Sequence, residues 1–541
     1  MTDSDINTNT SPPIPSSTTT TTTTTNTSLN VTTTQSIGLD LGALATTMSL
    51  ATSEQPQSLM MRNKEMNVST PSIVSFTPDG RMFGQAASNT MSSSIVSFSN
   101  MVDLLSSDDV VELKHLQEKL PSIQIVAMFL EHLLGGEQKN EEGKKSDLIF
   151  ALPRCVTNMS SIRDALKIAK LDQKFSPKCC TIGVALAGAH FLKHGKTDTP
   201  KRHVLIVDHG YNQLTVALIR VDKNRPHVVV EKCVRDAANK HMDLSLFQHF
   251  QDETSSKYGV KPELDSKLGK RLLKACVKAK KTLSAVKDTA FMVDCVKSST
   301  DARYKCDRNL LSRVCAAQLK CLEDTVRSVL QEASVNDVDA VEMVGGGSRS
   351  PIIVDAIKRA FVGADVKIQY TLDIKNSVSQ GAAFLSAIEY GWYDATNEEE
   401  KDEEEKNTKE DGDTKEEEKE DTTSFFLEEE EEEEEVDNKQ ISSLDLTKAL
   451  ELELKIKKHN EQCRIQLQQK NDFETFIYKW RDVCENVDSP HYDKVDKEFL
   501  ESTLDREESY VSLFFVLNSH SSSSSSPIFQ VVLRGGSELR F

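Results

Sequence analysis

Val341-Glu342-Met343-Val344-Gly345-Gly346-Gly347-Ser348-Arg349-Ser350-Pro351 is the stretch whose reading decides the fold. Residues 341–344 read as the end of a strand. Three glycines, Ser348, Arg349 and a proline follow. An apolar helical pattern then begins at Ile352, Ile353, Ala356, Ile357, Ala360 and Phe361. A strand, a glycine turn and a helix start bring backbone N–H groups close to a nucleotide. Consecutive glycines let a flat group lie on the backbone, and an arginine there stacks on a base or holds a phosphate. A lone Gly-Gly-Gly is more often an ordinary αβ turn, so its meaning depends on what surrounds it.

Two further stretches supply that context. Ser36-Ile37-Gly38-Leu39-Asp40-Leu41-Gly42 is a short apolar strand ending in Asp-x-Gly, followed by a second strand-like run through Met48 and Leu50. Val204-Leu205-Ile206-Val207-Asp208-His209-Gly210, then residues 214–219, repeats the device. Two copies of strand, Asp-x-Gly, strand imply two related α/β lobes. Asp40 and Asp208 would each sit at a strand end, where a carboxylate holds a metal-bound water. Gly42 and Gly210 let each hairpin backbone approach a phosphate. One Asp-x-Gly is a common turn; two in matching contexts say more. Between and after them, strands are expected at 72–76 and 147–152, and helices near 111–134, 159–171, 244–258 and 264–283. On the last helix Lys280, Lys281 and Ser284 fall within one turn and could face a nucleotide, although such a basic cluster is usually a solvated face.

Composition narrows the classes. The 541-residue chain is long enough for two or three domains. Its net charge of −19 is matched by residues 398–437 alone, with 24 acidic residues against five lysines. The remainder is nearly neutral, with no basic stripe and interleaved aromatics, so nucleic acid is not an expected partner. The 11 cysteines are scattered, with no C-x-x-C pair. Neither a zinc site nor a disulfide framework is supported, and free thiols in a reducing compartment follow. A polar, acidic N-terminus and the absence of a long apolar run argue against a secretory signal and a membrane span. Cytosol, or cytosol and nucleus, is the expected location. Residues 1–34 are Thr, Ser, Asn and Pro, with threonine unbroken from 18 to 25, and are expected to be disordered.

These pieces in this order resemble the nucleotide-binding domain of the seventy-kilodalton heat-shock chaperone family, over about residues 36–392. The landmarks are Ile37-Gly38-Leu39-Asp40-Leu41-Gly42, Thr70-Pro71-Ser72, Phe83-Gly84-Gln85-Ala86-Ala87, residues 204–210, 271–284 and 344–351, and Gly381-Ala382-Ala383-Phe384. The resemblance implies an actin-like two-lobed fold built on ribonuclease H-like repeats. ATP or ADP, with Mg2+, would lie between the lobes. Asp40, Gly42, Asp208 and Gly210 would serve the phosphates. Lys280, Lys281 and Ser284, with Gly345, Gly346, Gly347, Ser348 and Arg349, would hold the adenosine.

The chain departs from the family's chemistry in several places. Ala43 and Leu44 follow the first hairpin glycine where threonines are usual, and Tyr211-Asn212-Gln213 replaces Gly-Gly-Thr after the second. Ser88 stands where a catalytic lysine is expected after Gly-x-Ala-Ala. Thr181-Ile182-Gly183-Val184 replaces Asn-Glu-Pro-Thr, and Val277 replaces a glutamate on the adenosine helix. Phosphoryl transfer depends on positioning and charge stabilisation. Binding without useful turnover is therefore the expectation, with a compensated, active ATP-dependent chaperone as the alternative. An actin-like or sugar-kinase relative shares the fold but not the 271–284 helix or the tail.

The tail differs too. Gly391-Trp392-Tyr393-Asp394 runs straight into the acidic block, where the family places an apolar linker and a client-gripping β-sandwich. The block reads as a solvated, disordered linker over 396–440. A long helix is expected from Leu444, carrying Leu446, Leu450, Leu454, Cys463, Leu467, Phe473, Ile477, Trp480, Val483 and Val487. Residues 473–482 are similar to the helical bundle of the family's hundred-and-ten-kilodalton branch, within an expected segment 441–511. That branch carries acidic insertions and acts mainly in nucleotide exchange on seventy-kilodalton chaperones. Such a chaperone is the expected partner, and unfolded protein clients are the other class the resemblance allows. Residues 512–541 fit nothing and are expected to be disordered.

Overall fold

The computed structural model describes residues 35–393 apart from short internal gaps, residues 424–427 and 443–486, and scattered residues from 497 to 508. The expectations for residues 1–34 and 512–541, for the turn residues 78 and 79, and for all of 396–440 except 424–427 lie outside the described residues.

Two sheets of the same design form the body. In lobe I, β1 (Gln35–Leu41), β2 (Ala45–Thr52) and β3 (Leu59–Met60) run antiparallel, with β4 (Ser69–Pro71) also on β2. On its other side β1 pairs in parallel with β10 (Ser146–Leu152), and β10 with β11 (Phe175–Thr181). In lobe II, β14 (Pro226–Val234), β13 (Leu214–Val221) and β12 (Arg202–His209) run antiparallel. There β12 pairs in parallel with β17 (Ala340–Val344), and β17 with β18 (Ile368–Gln369). Both sheets place the Asp-x-Gly strand centrally, between an antiparallel and a parallel neighbour. The two related α/β lobes expected from the hairpins are present, in the actin-like arrangement that the resemblance implies.

The central strands are apolar without interruption because both faces are covered. Along β10, Leu148, Phe150 and Leu152 enter the lobe I core, while Ile149 and Ala151 join a separate cluster with Val204, Ile206 and Ile219 of lobe II. Strand periodicity of two thus puts one face into the lobe and the other into the seam between lobes. Two helices fill that seam: α5 (Ile182–His194) and α11 (Ser377–Glu389). They cross closely because of glycine. A Cβ on Gly381 would lie 1.7 Å from the Ala185 carbonyl oxygen, and one on Gly38 would lie 2.1 Å from that of Ser379.

Smaller elements flank the sheets. Lobe I adds β5 (Ile73–Thr77), β6 (Gly80–Phe83) and β7 (Val96–Ser99), the hairpin β8 (Val110–Leu113) and β9 (Glu118–Pro121), and helices α1 (Gly84–Asn89), α2 (Met101–Leu105), α3 (Ser122–Leu134) and α4 (Met159–Ile168). The expected helix over 111–134 therefore begins at Ser122. Residues 110–113 and 118–121 pair as antiparallel strands instead, and Pro121 ends the second of them just ahead of the helix. Lobe II adds α6 (Asn239–Tyr258), α7 (Lys267–Leu283), the hairpin β15 (Asp288–Lys297) and β16 (Thr300–Asp307), α8 (Arg308–Val314), α9 (Ala316–Glu332) and α10 (Pro351–Ala360).

The expected long helix is α12 (Ser443–Glu485). Its buried residues include only part of the apolar series read in sequence. Ala449 and Ile456, with Leu446 and Leu452 beside them, join the lobe I core, whereas Leu454 and Leu467 are each 53% exposed. The register follows a buried ion pair: Arg81 Nη1 lies 2.9 Å from Glu453 Oε1, with both side chains under 8% exposed. Asn460 Oδ1 also accepts from the Arg81 backbone N–H at 3.1 Å. Further along, Ile477, Cys484 and Leu504 form a small cluster with Phe473 and Trp480. Inside the segment expected as linker, Leu427 N–H donates to the Cys179 carbonyl (3.0 Å), Phe426 enters the seam cluster, and Lys178 Nζ lies 4.9 Å above its ring.

Candidate functional site

The two hairpins and the glycine turn meet. Asp40 ends β1 opposite Thr47, and Asp208 ends β12 between Thr215 and Val344. Asp40 keeps part of its surface open, but desolvation by the surrounding protein, and then the charge of Asp208, push its pKa up to about 8. Burial pushes Asp208 up to about 6. Two desolvated carboxylates, with the charge of Asp208 raising the proton affinity of Asp40, are groups that a divalent cation would stabilise in their ionised form. Among the described residues no group of three or more His, Cys, Asp and Glu side chains is placed to hold a metal. A cation here would therefore rest on these two carboxylates, water and a ligand's own oxygens.

The glycine turn closes over the second aspartate. Gly345 has φ +83°, and a Cβ there would lie 2.3 Å from Asp208 Oδ1. A Cβ on Gly347 would lie 2.0 Å from His209 Nδ1, and the Gly347 N–H donates to the His209 carbonyl at 3.0 Å. Gly346 is different: it is exposed and has nothing within 4 Å of a Cβ, so of the three it alone offers an open face. Ser348 is fully buried and its hydroxyl has no hydrogen-bond partner among the described residues. Arg349 is exposed, and its charge acts on Tyr370. The helix expected after the turn is α10, with Pro351 in its first turn.

His209, the middle residue of the second Asp-x-Gly, carries a polar chain that sequence reasoning missed. Its Nε2 lies 2.8 Å from the Ala237 carbonyl and so carries the proton; its Nδ1 then accepts from Asn239 Nδ2 at 3.0 Å. Burial holds this imidazole down to about 4, which keeps it neutral. Asn239 Oδ1 accepts from Lys280 Nζ (3.1 Å), and Lys280 pairs with Asp243 at 2.7 Å. Lys280 is thus drawn inward to the hairpin, while Lys281 is exposed and Ser284 caps the end of α7. The three residues share a helical turn, but only Lys280 is tied to the glycine turn. The missed signal was the polar character of His209 and Asn239 beside glycines that have no room for a Cβ.

The first hairpin has its own support. Ser72 Oγ donates to the Gly42 carbonyl (2.6 Å) and lies 2.9 Å from Thr46 Oγ1. Ser88 is exposed on α1, which packs against β4, β5 and β6. Ile182, in place of the family glutamate, is buried in the seam. A different acid comes close: Glu231 accepts from the Thr181 hydroxyl and, at 3.0 Å, from the Gly183 N–H at the start of α5. Across the lobes, Asn212 Nδ2 donates to Asp103 Oδ1 of α2 (2.9 Å), with Arg235 3.4 Å away.

A fold of two repeated sheets with an Asp-x-Gly hairpin in each and a glycine turn beside the second defines the actin-like class of nucleotide-cleft proteins. Within that class, the family model described as Hsp70 protein matches residues 36–98 and 90–398, and the chain belongs to the Hsp70 family. It is similar to a heat shock protein homolog of Saccharomyces cerevisiae, 28% identical over 387 residues, 65% of this chain and 54% of that protein. It is also similar to heat shock protein hsp88 of Neurospora crassa, at 25% over 65% of this chain and 53% of that protein. The 97 kDa heat shock protein of Mesocentrotus franciscanus is 24% identical, over 65% of this chain and 43% of that protein. The chain spans about half the length of the curated relatives it matches. Among the described residues no helix is long and apolar enough to cross a membrane.

Proposed function

We propose that this chain is a co-chaperone that promotes nucleotide exchange on a seventy-kilodalton chaperone, binding ATP or ADP with Mg2+ itself and hydrolysing it slowly or not at all. The observation that carries the reading is the attachment of α12. Residues 394–442 separate the two-lobed body from this helix, a span too short for a peptide-gripping β-sandwich. The helix is fastened directly to lobe I through Arg81–Glu453. Nucleotide state in this body therefore has no evident route to a client site, whereas two lobes with a long helix alongside offer a surface for another chaperone.

In this reading Asp40 and Asp208 hold the water shell of Mg2+, which supplies charge neutralisation to the phosphates. Gly42 and Gly210 let backbone approach the phosphates, and Gly345, Gly346 and Gly347, with Ser348 and Arg349, hold the adenosine, Gly346 offering an open face. Ser348 has an unused buried hydroxyl to offer. Lys280 steadies Asn239 and His209 beneath the turn, and Lys281 and Ser284 flank the adenosine. Weak hydrolysis is supported by Ile182, and by Glu231, whose oxygens are occupied at the start of α5. Cytosol, or cytosol and nucleus, is the proposed location.

The test is release of a fluorescent ADP analogue from a seventy-kilodalton chaperone of the same cell. Faster release with the full chain added supports exchange activity. Unchanged release together with direct binding of an unfolded client rejects it in favour of a client-holding chaperone.

A further inference from the structure

Two cysteines 78 residues apart meet across the seam between the lobes. Cys155 lies on the single 3-10 turn that follows β10 in lobe I (Arg154–Val156), and Cys233 lies on β14, the outer antiparallel strand of the lobe II sheet. Their sulfurs are 3.7 Å apart. The pairing is built by elements on both sides. Glu231 and Cys233, two residues apart on one strand, share the face turned toward lobe I. Glu231 is held there by Thr181 and Gly183, and the charge of Arg154, the neighbour of Cys155, acts on it. The seam thus sets Arg154 and Cys155 against Glu231 and Cys233.

The geometry points to Cys155 and Cys233 as an oxidative modification site, whose disulfide fastens lobe I to lobe II. Of the 11 free cysteines, Cys179, Cys180, Cys276, Cys306, Cys315 and Cys484 are buried. Cys155 is exposed, and its partner is already within van der Waals range. Closing to a bond requires the sulfurs to approach to about 2.05 Å from their present 3.7 Å. The exposed sulfur reacts first, and the half-buried one resolves. Burial and then the neighbouring Cys155 push the Cys233 thiol up to about 12, so it is the poorer first nucleophile.

With a peroxide as oxidant the chemistry balances. The Cys155 sulfur attacks one peroxide oxygen and the O–O bond breaks, giving a sulfenic acid and water. The Cys233 sulfur then attacks the sulfenic sulfur and the S–O bond breaks. The hydroxyl leaves with the Cys233 proton as a second water. Two thiols lose two electrons and one hydrogen peroxide becomes two waters. Lobes joined by a covalent bond at the seam rotate less freely about the cleft. The inference does not depend on the exchange activity proposed above, because it requires only the two thiols and the fold.

The test uses the full chain treated with a few equivalents of hydrogen peroxide, alkylated, and digested without reduction. Mass spectrometry should find a peptide pair joining Cys155 to Cys233 that dithiothreitol separates. The melting temperature should rise by roughly 5 °C on oxidation and return on reduction. Cys155→Ser, at an exposed position, should melt like the reduced parent and show no rise. In Cys233→Ser, dimedone should trap a sulfenic acid at Cys155. Disulfides between other cysteines without a Cys155–Cys233 peptide would overturn the assignment. So would a Cys155–Cys233 link that leaves the melting temperature unchanged.

Discussion

At the scale of single residues, the cleft is dominated by groups whose ordinary solvation has been removed. Asp40 and Asp208 have pKa values raised from 3.8 to about 8 and about 6. A carboxyl whose folded pKa is raised contributes stability that is fully present below its unfolded pKa and lost as pH rises through the folded one. The melting temperature should therefore fall between pH 5 and pH 8, and the double variant Asp40→Asn, Asp208→Asn should flatten that slope. A parallel slope in parent and variant would show that other groups control it. The same double variant should lose the thermal shift given by millimolar Mg-ATP, a mass-action effect of about 2.7 kcal/mol when ligand is a hundredfold above its dissociation constant. The glycine turn makes a second residue-scale prediction. Gly345→Ala meets Asp208 and a left-handed backbone, and should cost about 2 kcal/mol in urea unfolding. Gly346→Val has open space and should leave stability within about 0.5 kcal/mol while weakening ATP binding by titration. Equal effects of the two substitutions would contradict the separate roles.

At the scale of elements, two contacts decide how the parts assemble. Helices α5 and α11 cross where Gly381 meets the Ala185 backbone, so Gly381→Leu should force them apart and cost about 3 kcal/mol by denaturant melt. The attachment of α12 rests on a buried ion pair. Removing one partner leaves an unpaired buried charge, with a cost of about 3 kcal/mol. Arg81→Ala should therefore release the first turns of α12, seen as faster hydrogen exchange in residues 446–460, while exchange in β12 and β17 stays unchanged. Unchanged exchange in α12 would show that Ala449 and Ile456 hold the helix by packing alone.

At the scale of the whole molecule, the body is expected to stand by itself. Residues 35–395 contain both sheets, the seam helices and nearly all the buried core. Made alone, this segment should unfold cooperatively and retain the Mg-ATP shift. It should be less stable than the full chain, because it lacks Phe426 in the seam and Ala449 and Ile456 on lobe I. In the full chain, limited proteolysis should cut first within 1–34 and 396–440. Early cuts spread through the body would contradict this domain division.

The sequence by itself determined the repeated hairpins, the glycine turn and the family, because these are local patterns. A strand ending in Asp-x-Gly, and a run of glycines between a strand and a helix, are patterns of a few neighbouring residues, whereas the lack of room for a Cβ at Gly345 and Gly381 comes from Asp208 and Ala185, distant in the chain. It also marked α12 as a helix, since 3.6-residue periodicity is carried within the element. Which face α12 buries was settled only in three dimensions. Of its expected apolar series, Leu446 packs on lobe I and Ile477 is buried, but Leu454 and Leu467 are exposed, while Glu453 is buried against Arg81, far away in the chain. The same holds at the cleft. Lys280, Lys281 and Ser284 look equivalent on a helical turn, yet only Lys280 reaches Asn239 and Asp243. Cys155 and Cys233 have no spacing that would pair them, and they meet because the two sheets share a seam. Local backbone preference is written in adjacent residues. Contacts between distant side chains arise from packing, which adjacent residues do not encode.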